Sequence, residues 1–155
     1  MTDDTPDEII VEPCMSASHP GWLDLRQALW SDGTPEEHLA EMASAIAEPS
    51  RYAQFVACRP ARKPVGLAEA SIRSDYVNGT STSPVAFLEG IYVIPGARQT
   101  GVAAALVAEV CRWAAAMGCK EIGSDALLEN TVSHAVHRAL GFEEMERVVF
   151  FRKTL

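Results

Sequence analysis

No apolar run in the chain approaches the roughly 20 residues that a membrane-spanning helix needs, which argues against a membrane protein of that kind. The first residues, Met1-Thr2-Asp3-Asp4-Thr5-Pro6-Asp7-Glu8, have neither the basic nor the apolar region of a secretory signal. Residues 1–7 are expected to be a disordered acidic tail, and residence in the cytoplasm follows as the default. Cysteine is sparse: Cys14, Cys58, Cys111 and Cys119 form no C-x-x-C pair and stand at no metal-binding spacing from a histidine. They are expected to be reduced, mostly buried thiols, and no metal site is expected. Positive charge is also in deficit, with 13 Lys and Arg against 21 Asp and Glu, a formal net charge of −8. That balance excludes an extended nucleic-acid surface and suits a cationic partner. Repeats, low-complexity tracts and interdomain linkers are absent, as are the G-x-x-x-x-G-K-[ST] and G-x-G-x-x-G nucleotide loops.

With 155 residues, 48% of them hydrophobic, the chain suits one domain with a single core, expected over residues 8–155. Residues 8–15 alternate loosely and read as a first strand. Leu23, Leu25, Ala28 and Leu29 lie on an amphipathic helix that begins near Pro20 and ends around Trp30. Thr34-Pro35-Glu36-Glu37 is a helix start, with Thr34 as N-cap, Pro35 at the first helical position and Glu37 completing a capping box. That helix should run to about Glu48, before Pro49. Strands are expected at 53–58, 65–73, 87–93, 121–126 and 148–151. A polar loop spans 74–84, and helices span 102–117 and 130–140, ended by Gly118 and Gly141. The order β-α-α-β-β-β-α-β-α-β describes an α+β fold around one mixed, mostly antiparallel sheet flanked by helices.

The most informative stretch is Arg98-Gln99-Thr100-Gly101-Val102-Ala103-Ala104, between the strand ending Ile91-Tyr92-Val93 and a helix. Unpaired N–H groups of a first helical turn, together with the helix dipole, make such a junction a cradle for phosphate. Small Gly101 and Ala103 let a pyrophosphate approach the backbone, and Arg98 adds a charge-assisted contact. The pattern R-x-x-G-x-A resembles the acetyl-CoA pyrophosphate loop of the GNAT superfamily of N-acetyltransferases. Asn130, followed by Leu140-Gly141-Phe142, is similar to the next helix of those enzymes, although Asn is also a good N-cap and Gly a good helix stop. The resemblance implies the GNAT fold, acetyl-CoA as cosubstrate, and cofactor contacts at Ile91, Tyr92, Val93, Arg98, Gln99, Thr100, Gly101, Val102, Ala103, Ala104 and Asn130.

Ser71-Ile72-Arg73-Ser74-Asp75-Tyr76-Val77-Asn78-Gly79, Phe87-Leu88-Glu89-Gly90-Ile91 and Glu143-Glu144-Met145-Glu146-Arg147 resemble one branch, the aminoglycoside 6′-N-acetyltransferases. The likeness runs from about residue 22 to residue 153. It implies acetyl transfer to the 6′-amine of an aminoglycoside, antibiotic resistance as the outcome, and a homodimer. Substrate contacts carried over are Trp30, Tyr76, Glu89, Asp125, Asn130 and Glu146. A polycationic sugar suits such a set of carboxylates, amide oxygens and flat rings. Each has a plainer role open to it: Glu89 a solvated strand charge, Asp125 a turn cap, Glu146 part of an acidic surface, Trp30 core. The loop Ser31-Asp32-Gly33-Thr34 lacks a histidine that some relatives carry.

The implied mechanism is direct attack by a neutral amine, with Glu89 or Asp125 taking its proton and a backbone N–H near residues 91–93 stabilising the oxyanion. Many GNAT members place a tyrosine four residues before the Gly-Phe pair to protonate the departing thiolate; here that residue is His137. An imidazole titrates near neutrality and can serve, or can pack beside His134. Cys119 follows a helix C-terminus, where a thiolate is disfavoured, and is set aside as a nucleophile. Other amines remain open as acceptors, as does a non-catalytic ligand-binding role.

Overall fold

A computed structural model describes residues 8–155; the expected acidic tail, residues 1–7, lies outside them. In chain order the elements are β1 (Ile10–Pro13), α1 (Trp22–Leu29), α2 (Pro35–Ala47), β2 (Tyr52–Arg59), β3 (Lys63–Arg73), β4 (Val85–Val93), α3 (Val102–Ala116), β5 (Ile122–Ser124) and α4 (Thr131–Ala139). Short 3-10 turns occupy Pro60–Arg62 and Pro95–Ala97.

The strands form one sheet in the order β1-β2-β3-β4-β5, antiparallel except for the parallel pair β4–β5. Alternation along β2 explains how both faces are covered. Ala53, Phe55 and Ala57 point into a cluster with Leu106 and Val110 of α3. Val56 and Cys58 point the other way, against Trp22 and Leu25 of α1 and Met42 of α2. A period of two in the strands thus separates α3 from the α1–α2 pair.

The capping box at α2 forms as read: Thr34 Oγ1 accepts from the Glu37 N–H, and the Glu37 carboxylate accepts from the Thr34 N–H. Gly118 and Gly141 adopt positive φ at the ends of α3 and α4. The first and fifth strands are shorter than expected. One expected strand is not formed. Val148-Val149-Phe150-Phe151 joins no sheet, and its aromatic rings are exposed, Phe150 to 88% and Phe151 to 93%. The run has strand-like side chains, but a strand exists only where an edge accepts its hydrogen bonds, and this segment lies against no edge of its own sheet.

Two details of the sheet shape the site. Glu69 of β3 pairs with Gly90, whereas the next residue, Ala70, pairs with Leu88. Glu89 is therefore the extra residue of a β-bulge, which bends the strand and re-aims its side chain. On the other side of β4, pairing with β5 ends at Leu88↔Ser124. Residues 89–93 carry on without a strand neighbour on that side, so their backbone groups face an opening.

Candidate active site

The opening leads to the start of α3. Gly101 is the N-cap, at φ +90°, and no side chain caps the helix. The first intrahelical bond there runs from the Ala105 N–H to the Gly101 carbonyl, leaving the N–H groups of residues 102–104 outside the helix ladder. Gln99 is also at positive φ, +60°. Thr100 donates its hydroxyl to the Ala97 carbonyl at 2.5 Å and accepts from Arg59 Nη2 at 2.8 Å. Arg98 turns back, donating from Nε to the Val93 carbonyl at 3.0 Å, with its guanidinium 5.9 Å from the Tyr92 ring. This is a backbone cradle without a side chain of its own to fill it, bordered by two arginines. Those features fit a pyrophosphate, and residues 91–93 along the open edge fit an amide-bearing arm laid beside a strand. Arg59 was invisible to local sequence reading, because its partner lies 41 residues away.

The two candidate proton acceptors differ. Glu89 is tethered: Ser71 donates to its Oε1 at 2.5 Å, and Arg73 donates to both oxygens at 2.9 and 3.0 Å. Arg73 in turn lies 3.6 Å over the Phe87 ring. Asp125 directly follows the last rung of the β4–β5 pair and has no ion-pair partner among the described residues.

His137 projects from α4 toward that same rung. Its Nδ1 lies 2.7 Å from the Ser133 carbonyl, which can only accept, so Nδ1 carries a proton. Its Nε2 is 2.7 Å from Ser124 Oγ, and Phe142 meets the ring edge-on at 5.2 Å. Ser124 was not singled out by the sequence; only the fold brings it to His137. Asn130 accepts from the Ser133 N–H at 3.1 Å, so its oxygen caps α4 while its amide N–H groups stay available.

Trp30 ends α1, and its indole lies against Gly90 in the bulge: a Cβ there would stand 2.5 Å from Cζ2. Beneath it runs a buried polar network. Arg26 reaches Glu69 at 2.9 Å, Glu41 at 2.7 Å and His38 at 2.6 Å, and Trp22 Nε1 donates to Glu69 at 3.1 Å. Burial pushes the Glu69 carboxyl above its ordinary range, more than the Arg26 charge and the donated bonds pull it down. Between α2 and the sheet lies a groove of about 420 Å³, lined among others by Glu41, Glu48, Tyr52, Glu69 and Glu89. Tyr76 is exposed in the 74–84 loop, and Glu146 accepts from the Gly79 N–H of that loop at 2.8 Å. Trp30 thus packs on the bulge that carries Glu89, and Asp125 follows the residue that ends the β4–β5 pair. Asn130 and His137 flank them on α4, and Tyr76 and Glu146 stand farther out.

All four cysteines are free. Desolvation raises each thiol above its ordinary pKa, most strongly at buried Cys14, so none is activated as a nucleophile. Among the described residues no group of side chains could hold a metal ion, and no helix is long and apolar enough to cross a membrane.

A mixed sheet with an unpaired edge on β4, beside an uncapped helix N-terminus, suits an extended amide-bearing ligand that ends in a phosphate group. The model of the acetyltransferase (GNAT) family matches residues 21–142, and the chain belongs to that family. The aminoglycoside N(6′)-acetyltransferase type 1 of Acinetobacter haemolyticus is 48% identical over 145 residues, covering 94% of this chain and 98% of that protein. The Serratia marcescens protein of the same name is 52% identical over 134 residues, covering 86% and 91%. Among solved structures, the aminoglycoside antibiotic 6′-N-acetyltransferase AAC(6′)-Ih from Acinetobacter baumannii superposes with a TM-score of 0.89 at 46% identity, over 96% of this chain and 99% of that one. AAC(6′)-Iy in complex with the bisubstrate analogue CoA-S-monomethyl-acetylneamine gives 0.87 at 43% identity, again over 96% and 99%.

Proposed function

We propose that this protein is an aminoglycoside 6′-N-acetyltransferase that moves acetyl from acetyl-CoA to the 6′-amine of an aminoglycoside, conferring resistance. The observation that carries the reading is that Trp30 packs on the β4 bulge carrying Glu89 and Asp125 follows the last β4–β5 rung, while β4 leads on to the uncapped start of α3. Relatives 48% and 52% identical, named for this reaction, support it. Acetyl-CoA, when bound, supplies the acetyl group as an activated thioester. The N–H groups of residues 102–104 hold its phosphates, with Arg98, Gln99 and Thr100 bordering them. Residues 91–93 and Asn130 line the arm, and a backbone N–H of β4 faces the developing oxyanion.

Asp125 takes a proton from the acceptor's ammonium, directly or through water, so that the neutral amine can attack; among the described residues no ion pair engages its carboxylate. Glu89, neutralised by Arg73, instead holds an acceptor hydroxyl or ammonium in place. His137 reaches the departing thiolate through Ser124: the Ser124 hydroxyl gives its proton to the sulfur and takes one from Nε2 of an imidazolium whose Nδ1–H stays on the Ser133 carbonyl. Trp30, Tyr76 and Glu146 complete the acceptor contacts. The functional unit is residues 8–155, acting in the cytoplasm where acetyl-CoA is made. It is a homodimer, a reading supported by the exposed apolar side chains of residues 148–151.

Coenzyme A release by the purified protein tests the function, comparing a 6′-amino aminoglycoside with its 6′-hydroxyl counterpart. Turnover with the amine alone is expected. Equal turnover with both moves the acetylated nitrogen elsewhere on the molecule. Failure with both, despite acetyl-CoA binding, leaves an acetyltransferase of another amine.

A further inference from the structure

We propose that Arg26 is a positioning residue for acceptor recognition, its buried guanidinium fixing the Trp30 indole with His38 as a second clamp. The inference rests on the reading of Trp30 as an acceptor contact. Arg26 lies in the last turn of α1 and is only 8% exposed. A cation so buried is tolerated only where its N–H groups are engaged. Nε donates to Glu69 at 2.9 Å, and one terminal nitrogen donates both to Glu41 at 2.7 Å and to His38 Nδ1 at 2.6 Å.

An arginine has no lone pair to offer, so His38 Nδ1 is the acceptor and the ring proton sits on Nε2. That proton points to the Trp30 carbonyl, 3.0 Å away. The Trp30 N–H donates to the Arg26 carbonyl at 2.9 Å. Trp30 is therefore held by both backbone groups, while the Arg26 guanidinium lies 4.8 Å from its ring. The bulge residue Gly90 bounds the indole where any side chain would collide with it. One residue thus connects three features of the acceptor wall: the indole, the tautomer that anchors its backbone, and the Glu69 carboxylate opposite the bulge.

Lysine keeps the charge but not the planar fork, so Arg26→Lys cannot serve Glu69, Glu41, His38 and the ring together. His38→Phe keeps a planar ring and removes both the donor to Trp30 and the acceptor for Arg26, while leaving the Arg26 guanidinium beside the indole. The two are compared with Trp30→Ala and with the Trp30→Ala/Arg26→Lys double variant. The readouts are KM for neamine, KM for acetyl-CoA, and the calorimetric Kd for neamine with coenzyme A present. Arg26→Lys is expected to raise the neamine KM and Kd about tenfold, the scale of a lost cation–π contact, and His38→Phe about fivefold, the scale of a lost hydrogen bond to Trp30, with the acetyl-CoA KM moving less than about twofold in each. The double variant should be no worse than Trp30→Ala alone, as coupling through one side chain requires.

Lower melting temperatures in both single variants with unchanged neamine KM would make the network a structural tie and overturn the proposal. An unchanged neamine KM in Trp30→Ala refutes the underlying contact instead, whatever Arg26 does. Should Arg26→Lys fail to fold, His38→Phe decides.

Discussion

At Gly101 the limit on substitution is set by the backbone rather than by space. A Cβ built there meets only Ile9, at 3.8 Å, yet φ is +90°, a conformation that costs a side-chain-bearing residue about 1–2 kcal/mol. Gly101→Ala is expected to relieve that strain by turning the N-terminus of α3, misdirecting the N–H groups of residues 102–104. Its acetyl-CoA KM should rise about tenfold, the equivalent of about 1.4 kcal/mol, with the acceptor KM unchanged. Separate titration of the two substrates checks this, and a rise in both would mean a general loss of packing. The cradle was legible in the sequence because every part of it falls within a few consecutive residues. Arg59 on Thr100, Ser124 on His137 and Arg26 on Glu69 were not, because each pair is joined only when the sheet assembles. The same holds for Glu89: its position was readable, but not the bulge that re-aims it or the Arg73 that neutralises it.

Among the elements, those with their own start and stop signals were read best. Thr34, Pro35 and Glu37 fix the start of α2 through local hydrogen bonds that need no tertiary partner. Thr34→Ala should therefore cost about 1 kcal/mol and lower the melting temperature by about 2–4 °C for a domain of this size. Thr34→Ser, which keeps the acceptor oxygen, should melt close to the parent; a Thr34→Ala protein melting with the parent would deny the box any energetic weight. The short β1 and β5 were overestimated for the converse reason. Strand ends are set by where a neighbour stops, and β5 stops at Ser124, the last residue paired with β4. That early end leaves residues 89–93 without a strand neighbour on that side, and no property of residues 121–126 alone encodes it. Residues 148–151 show the same limit more strongly: β-branched and aromatic side chains announce a strand, while the choice of sheet lies outside the segment.

For the molecule as a whole, the segment after α4 leaves much apolar surface to solvent. Val148, Val149, Phe150, Phe151 and Leu155 are each at least 49% exposed, while Glu146 ties the preceding stretch to the loop carrying Tyr76. Burying a large apolar side chain is worth about 1.5–3 kcal/mol, so an arm of this composition gains strongly from a second copy. Opposing that gain, each copy carries a formal net charge of −8, a repulsion that salt screens. The proposed homodimer therefore makes a joint prediction. In sedimentation equilibrium the parent chain should be dimeric, and its association should tighten as ionic strength rises. Removing residues 148–155 should give a monomer that still binds coenzyme A, since the α3 cradle contains none of those residues. A parent chain that sediments as a monomer at every concentration and salt level would refute the dimer. A truncated chain that remains dimeric would instead move the interface away from the arm, leaving its aromatic rings without the partner that their exposure calls for.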